Sequence, residues 1–356
     1  MKRLPSHIWI LLLIWLAAGA ATAAEVRDLY EAEVVVADQQ AEARQQAMRD
    51  GLAEVLVRAT GYSATAQDPA LADLLGNAPR YVQQYRYRSV PATDTAPAAL
   101  ALWMSFDANT INQSLRERGQ PVWGSARPLL LVWLALETGS ERRLVSAAES
   151  VAWPALETAA RRRGLPLRLP LLDLEDQARV TAADVWGGFQ ETVVNASARY
   201  QPQAILFGRL YHDRQAVWHA RWTLRVGEEA LHWDNTGAVP DEVLTAGVES
   251  SADALAARFA QVGALDGGTQ LSLRISDVNS LADYARLLSY LNSLSGVSAV
   301  QVTAVESRTV SCRLTLEVGP DAVARTIGLG TTLAATPAAV PAADPMSPER
   351  QYRLLP

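Results

Sequence analysis

Lysine and cysteine are almost absent from this chain of 356 residues. Lys2 is the only lysine among 32 basic residues, and Cys312 is the only cysteine. A Walker A phosphate loop, a Schiff-base lysine and a Ser-x-x-Lys nucleophile therefore cannot be built from the rest of the chain. A single cysteine also excludes an intramolecular disulfide and a multi-cysteine zinc or iron–sulfur site.

Several catalytic signatures are missing as well. The sequence contains no GxSxG, GxGxxG or HExxH motif. These are the local patterns of a nucleophile elbow, a dinucleotide site and a zinc hydrolase. The formal net charge is −6 at pH 7, and an acidic chain is a poor partner for nucleic acid. We therefore expect no cofactor, no metal and no nucleic acid. Missing motifs do not exclude catalysis, because the residues of a catalytic triad come together in space and leave no local motif.

The first 23 residues have the layout of a secretory signal peptide. Lys2 and Arg3 form a short positive segment, and residues 8–18 are apolar. The sequence ATA at 21–23 matches the small-residue cleavage rule. We expect cleavage after Ala23 and a periplasmic protein, with an uncleaved anchor as the alternative. No later stretch reaches the roughly 18 consecutive apolar residues of a membrane span, so none is expected after cleavage.

Hydrophobic periodicity divides the rest of the chain into three small α+β or α/β modules and a tail. The N-terminal module, residues 24–122, is predicted to have the order β-α-α-β-β-α, with its long helix ending at Gly61. The central domain, residues 123–264, is predicted as β-α-β-α-β-β-β-α with a mixed sheet. The C-terminal module, residues 265–330, has the β-α-β-β-α order of a ferredoxin-like half-fold. The tail, residues 331–356, is rich in Ala and Pro and is predicted to be disordered.

Four local predictions concern individual elements. We predict a strand over residues 167–174, which Pro170 interrupts, and a helix over residues 181–198 that a capping box at Thr181 begins. Residues 310–318 alternate as a strand, which places the Cys312 thiol on a buried apolar face. The long helix of the N-terminal module is predicted from an apolar face at helical spacing, which consists of Met48, Leu52, Val55, Leu56 and Ala59.

The central domain carries a candidate binding surface. Strand alternation separates a tryptophan-bearing face, interpreted as core rather than as a sugar platform, from a polar face. The polar face is interpreted either as solvated surface or as a site for an anion or an acidic partner. Without His-x-x-x-His spacing, a two-histidine metal site is the weaker alternative. The predicted polar face consists of His219, Arg221, Arg225 and His232.

A second candidate contact lies on a strand of the N-terminal module. Alternation places the tyrosines at 81, 85 and 87 on one side of this strand. Arg86 and Arg88 then lie on the other side, where they form a second candidate binding pair.

One carboxylate cluster is a candidate for general acid/base chemistry. Asp173, Glu175 and Asp176 cluster at the end of the second predicted strand of the central domain, and the ends of strands in α/β sheets are common ligand positions. Paired carboxylates at a suitable separation hydrolyse glycosides. A solvated acidic loop explains the same residues, so the cluster supports only an alternative function.

Five segments together resemble a known family. They are YEAEVVVADQ at 30–39, LVRATG at 56–61, RRRGLP at 161–166, LDLED at 172–176 and ILFGRL at 205–210. They resemble the DUF2066 family of uncharacterised Gram-negative envelope proteins over about residues 25–325. More distantly, the layout is similar to flagellar assembly protein T. The central domain alone is similar to the amino-terminal domain of TolB and to the curli secretion family.

The resemblance implies a role without supplying residues for it. The family brings no catalytic residue, cofactor or substrate, and the distant relatives are non-enzymatic envelope scaffolds. We therefore expect a soluble periplasmic scaffold or adaptor that binds another envelope protein. The alternative is an envelope hydrolase that acts on peptidoglycan or another glycan through the Asp173 cluster. The identity of the partner and the oligomeric state do not follow from the sequence.

Overall fold

A computed structural model describes residue 26 and residues 28–92, 97–147, 152–262, 269–294, 296–330, 332–336 and 349–355. The predicted signal peptide lies outside these residues. Over the described ranges the chain is a mixed α+β protein with several sheets, which confirms the predicted fold class. No helix within these ranges has both the length and the apolar character needed to cross a bilayer.

The N-terminal module is a three-stranded antiparallel sheet packed against one long helix. The sheet order is β1-β3-β2, and the predicted apolar face of α1 is buried against it. Gly61 caps this helix at φ +82°, where its amide donates to the carbonyl oxygen of Val57 at 2.8 Å. A Cβ at this position would lie 2.4 Å from the Trp123 ring, so only glycine fits. The elements are β1 (Glu31–Val36), α1 (Ala41–Thr60), α2 (Ala72–Gly76), β2 (Val82–Val90), β3 (Ala99–Phe106), α3 (Ala108–Glu117) and β4 (Pro121–Val122).

The central domain has helices on both faces of a mixed sheet. Its elements are β5 (Leu130–Thr138), β6 (Glu141–Leu144), α4 (Trp153–Arg162), β7 (Leu167–Arg168), α5 (Leu174–Arg179), α6 (Ala182–Gly187), α7 (Gln190–Ser197), β8 (Ala204–His212), β9 (Trp218–Val226), β10 (Glu229–Gly237), α8 (Pro240–Phe259) and β11 (Gln261–Val262). The strand order is β10-β9-β8-β5-β6, with β7 beside β5. A separate two-stranded pair joins β11 to β4 of the N-terminal module.

Two predictions for the central domain need correction, and one strand was missed. The predicted strand over residues 167–174 ends after two residues, because Pro170 lacks an amide donor and Asp173 instead caps α5. The predicted helix over 181–198 is two helices, since Gly188 adopts φ +70° and ends α6. The capping box of Thr181 is confirmed, with both of its hydrogen bonds present. Strand β6 was not predicted; Gly139 at φ +65° allows the tight turn that forms it.

The C-terminal module extends its predicted order by two strands. Its elements are β12 (Thr269–Ser276), α9 (Leu281–Ser293), β13 (Val297–Glu306), β14 (Thr309–Leu316), α10 (Pro320–Leu329), β15 (Leu333–Ala335) and β16 (Glu349–Leu354). The sheet order is β13-β14-β12-β16-β15. Cys312 is buried on β14 as predicted, and burial raises the pKa of its thiol to about 11.

The prediction of disorder over residues 331–356 is wrong for the two segments that form β15 and β16. Strand β16 pairs in parallel with β12 and antiparallel with β15. Its side chains alternate, so that Tyr352 and Leu354 enter the core of the module. The Ala/Pro-rich composition of the tail predicted disorder, because Tyr352 and Leu354 alone are too few to give a strand pattern. Residues 337–348 lie outside the described ranges.

Candidate binding face of the central sheet

One face of the central sheet is only partly covered by helices. Helix α8 packs on β9 and β10 from one side, where Trp222 is fully buried and Trp218 and Trp233 pack against the same core. On the other side, α6 and α7 pack over β5 and β8. The polar side chains of β9 and β10 therefore lie on the side that these two helices leave open. The core interpretation of the tryptophans is confirmed for Trp222.

Strand register brings the four predicted residues onto this one face. Arg221 lies opposite Asp234, and His232 lies opposite Thr223, in the antiparallel pair of β9 and β10. His219 and Arg225 follow the same alternation along β9. We name this surface the arginine face and define it by Arg209, Tyr211, His219, Arg221, Thr223, Arg225, His232 and Asp234.

Most charges on the arginine face already have partners. Arg221 donates from Nε to Asp234 at 2.8 Å, and the Arg221 side chain is 58% exposed. Arg225 is only 17% exposed; it donates to the Gln190 side chain at 3.3 Å and lies 4.0 Å from Glu191. An exposed ion pair such as Arg221–Asp234 contributes little to stability. The guanidinium of Arg221 is thus available to exchange its partner for a ligand.

The two histidines have local partners as well. His219 shares a hydrogen bond of 2.9 Å with Asp213, and this contact holds the pKa of the Asp213 carboxyl below its usual value. His232 shares a hydrogen bond of 2.9 Å with the Thr223 hydroxyl. No group of three or more His, Cys, Asp or Glu side chains that could hold a metal ion occurs among the described residues.

Sequence reasoning missed Arg209 and its aromatic neighbours. Arg209 lies on β8, directly opposite Arg221. Its guanidinium lies 5.5 Å from the ring centre of Trp186, which also contacts Tyr211 at 5.8 Å. Tyr211 in turn stacks on His219 at 5.2 Å. Alternation along β8 predicts that Arg209 and Tyr211 share a face, but only the pairing register places that face beside Arg221.

The second predicted surface, at Arg86 and Arg88, is built around Trp103. The two guanidinium groups lie 4.3 and 5.0 Å from the Trp103 ring centre. Arg88 also pairs with Glu33 at 2.8 Å, and the Trp103 indole donates to Glu31 at 3.0 Å. The structure places Arg86 and Arg88 on one sheet face, away from Tyr85 and Tyr87, as the alternation predicts. Tyr81 does not belong to this strand, because it lies in the turn before β2 and a register shift follows between Val82 and Gln84.

The carboxylate cluster is held by its own neighbours. Arg199 binds both oxygens of Asp173, at 2.7 and 2.9 Å, and lowers the pKa of that carboxyl to about 2. Asp176 is fully buried and accepts hydrogen bonds from the Tyr200 hydroxyl and Arg199. Glu175 is exposed and pairs with Arg179 at 3.0 Å. A general acid needs a raised pKa, so the state of Asp173 does not suit that role.

The comparisons with known proteins concern only the first part of the chain. Residues 23–124 match the family model of a domain of unknown function, DUF8605. No curated protein matches the chain. The resemblance to the DUF2066 family stays a prediction. The matched segment is similar to a family whose description names no activity, so the functional argument depends on the geometry of the described surfaces.

Proposed function

We propose that this protein is a non-enzymatic periplasmic scaffold or adaptor that binds another cell-envelope component through the arginine face. The observation that carries the proposal is the convergence of Arg209, Arg221 and Arg225 on one side of β8 and β9. Arginine suits such a surface, because its planar guanidinium binds carboxylates and stacks on aromatic rings.

The setting of the face supports a binding role. The side chains lie on paired strands whose opposite face is held by the core beneath α8, so they are presented from a rigid element. The aromatic rings of Trp186 and Tyr211 lie beside the cations, and aromatic and arginine side chains are enriched at protein interfaces. A rigid, mixed cationic and aromatic surface is what an adaptor needs to select an acidic partner.

The hydrolase alternative gains no support from the carboxylates. Asp173 and Asp176 share Arg199, and Asp173 also caps α5. These contacts stabilise the charged form of Asp173 and occupy oxygens of both carboxylates. The ion pairs with Arg199 and the cap of α5 explain why carboxylates stand at these two positions.

A crosslinking experiment in intact cells tests the proposal. A photoreactive amino acid at the exposed Thr236, which lies opposite His219, should capture one reproducible envelope protein. Reversal of charge in the double variant Arg221→Glu, Arg225→Glu should reduce this adduct at least about ten-fold, because it replaces attraction to an acidic partner by repulsion. Circular dichroism should show an unchanged fold.

The matched control reverses two exposed arginines of another module. Arg274 and Arg308 each pair with a carboxylate on the C-terminal module, at 3.4 and 3.5 Å. The variant Arg274→Glu, Arg308→Glu should leave the adduct unchanged. Equal adduct yields from the two double variants would refute the assignment of the arginine face.

A further inference from the structure

A small pocket opens on the arginine face between the end of α6 and strands β8 and β9. Its lining includes Gly187 and Gly188 of the helix end, and Arg209, Arg221 and Thr223 of the strands. Its volume is about 140 Å³, the space of roughly four or five water molecules at about 30 Å³ each. This space admits a small polar group with its adjoining carbon atoms and is too small for a nucleotide.

Two positive charges meet in this pocket. Arg209 of β8 and Arg221 of β9 are direct register partners. Like charges directly opposite one another on neighbouring strands destabilise a sheet. Arg221 has Asp234 on its other side, whereas no carboxylate in the described part of the chain pairs with Arg209. The pocket therefore holds two cationic side chains, and one carboxylate, Asp234, pairs with them among the described residues.

The hydrogen-bond donors of these arginines are also incompletely used. A terminal nitrogen of Arg209 donates to the carbonyl oxygen of Trp186 at 3.2 Å, but its Nε is buried and has no acceptor among the described residues. Asp234 accepts from Nε of Arg221, which leaves both terminal nitrogens of Arg221 available. Buried charged donors without an acceptor cost free energy. This cost applies to Nε of Arg209, because the terminal nitrogens of Arg221 are exposed to water. An acceptor in the pocket would satisfy Arg209 and replace water at the terminal nitrogens of Arg221.

We propose that this pocket binds one carboxylate group, supplied by an acidic side chain of the partner, which bridges Arg209 and Arg221. The inference rests on the proposed function, because it identifies what the partner inserts into the arginine face. Carboxylate oxygens accept charge-assisted, often bidentate, hydrogen bonds from guanidinium groups. A dianionic phosphate fits less well, because the Asp234 carboxylate already lies beside Arg221.

Nuclear magnetic resonance of the purified chain tests the pocket without any partner. Acetate is the carboxylate probe and is titrated at constant ionic strength, with chloride and inorganic phosphate in parallel. The Nε–H signals of the two arginines, assigned from Arg209→Gln and Arg221→Gln, should shift and saturate with acetate. In Arg209→Gln the acetate affinity reported by Arg221 should fall about ten-fold or more, since one charged donor is lost. Arg274→Gln, on the sheet of the C-terminal module, should leave the titration unchanged.

Two results of the titration would overturn the proposal. Shifts that grow linearly and equally with every salt would show that no site exists. Saturation by phosphate but not by acetate would show that the pocket selects a different anion. If Arg209→Gln does not fold, Arg221→Gln with the Arg209 signal as reporter gives the same test. Failed titration together with crosslinking that still depends on Arg221 and Arg225 would remove the pocket and leave the adaptor proposal standing.

Discussion

Asp173 carries out two tasks at the start of α5. Its side chain accepts the amide of Asp176 at 3.0 Å and also binds Arg199. Arg199 in turn reaches Asp176, which is buried beneath Tyr200. Burial and the hydrogen bond to Asp176 raise the pKa of Tyr200 to about 12. A sequence cluster that suggested chemistry is thus a local network that fixes a turn and a helix start.

This network predicts a specific loss of stability in acid. Because the folded-state pKa of Asp173 is about 2 against an ordinary 3.8, its contribution is present above the ordinary value and is lost as pH falls through about 2. The melting temperature of the protein should exceed that of Asp173→Asn at pH 5, and this difference should narrow towards pH 2. Thermal unfolding by circular dichroism across this range measures the difference.

The partner of Asp173 supplies the control for this prediction. Arg199→Met should lose most of this pH-dependent increment, because the hydrogen bond from Arg199 is the largest cause of the lowered pKa of Asp173. Addition of Asp173→Asn to Arg199→Met should then remove little more of the pH-dependent increment. A constant difference between the protein and Asp173→Asn from pH 5 to 2 would contradict the assignment.

At the scale of elements, β16 completes the sheet of the C-terminal module. It lies between β12 and β15, so both of its edges are paired. Arg350 at its start pairs with Asp321 of α10, and the carbonyl oxygen of Leu355 accepts a hydrogen bond from Arg286 of α9. The strand is therefore fixed both by the sheet ladder and by contacts at its two ends.

Truncation of Leu354 tests whether β16 is part of the folded core. Leu354→Ala should lower the free energy of unfolding by about 2–4 kcal/mol, because it leaves a cavity at a side chain that is only 4% exposed. The neighbouring Arg353 points outward, and Arg353→Ala should change the free energy by less than about 0.5 kcal/mol. Chemical denaturation measures both values. Equal values for the two variants would mean that β16 does not contribute its side chains to the core.

Sequence patterns predicted elements well where one local cause dominates. The apolar face of α1 and the capping box at Thr181 each involve residues three or four positions apart, so spacing alone defines them. The prediction of a strand over 167–174 was wrong, because Pro170 and the helix cap at Asp173 both oppose the strand that its hydrophobic residues favour. Strand β16 was missed because its stability comes from β12 and β15, which are distant or weakly patterned in sequence.

At the scale of the molecule, buried arginines join the N-terminal module to the central domain. Arg163 at the end of α4 is 1% exposed and pairs with Glu249 and Asp253 of α8. It also donates to the carbonyl oxygen of Gly61 at 2.6 Å, while Asp253 accepts from the amide and hydroxyl of Ser63. Two modules thus share one polar network, and its geometry fixes how they are joined.

Arg127 strengthens the same junction through backbone oxygens. Its guanidinium donates to the carbonyl oxygens of Arg58 at 2.6 Å and Trp123 at 2.8 Å, and lies 3.9 Å from the Trp123 ring centre. Burial is the main cause that lowers its pKa to about 9. Because carbonyl oxygens of both modules satisfy this buried cation, separation of the modules would expose it to water and break its hydrogen bond to Arg58.

Removal of Arg163 should weaken the junction. Arg163→Met retains an unbranched side chain but leaves Glu249 and Asp253 without their cation. Their side chains are 30% and 39% exposed and regain water, so we expect a loss of about 2–3 kcal/mol, below the 3–5 kcal/mol of a fully buried pair. Urea denaturation with separate probes on the two modules should also show that their transitions no longer coincide.

The adjacent Arg162 provides a matched control. It is exposed on the same helix, and Arg162→Met should change the free energy of unfolding by less than about 0.5 kcal/mol. Coincident transitions and equal stabilities in both variants would contradict the role of Arg163 in joining the modules.

The sequence by itself determined the α+β class, the long helices, the polar alternation of β9 and the chemistries that the chain lacks. These properties depend on composition and on spacings of two to four residues, and such spacings lie within a single segment of the chain. Tertiary structure alone decided that Arg209 lies opposite Arg221, that Arg199 binds both carboxylate oxygens of Asp173, and that β16 joins the sheet. Each of these depends on pairing between segments that are far apart in the chain, and many registers compete for such pairing until the cores are packed. The arginine face is a surface of this second kind, because β8 and β9 must pair in one register before its cations meet.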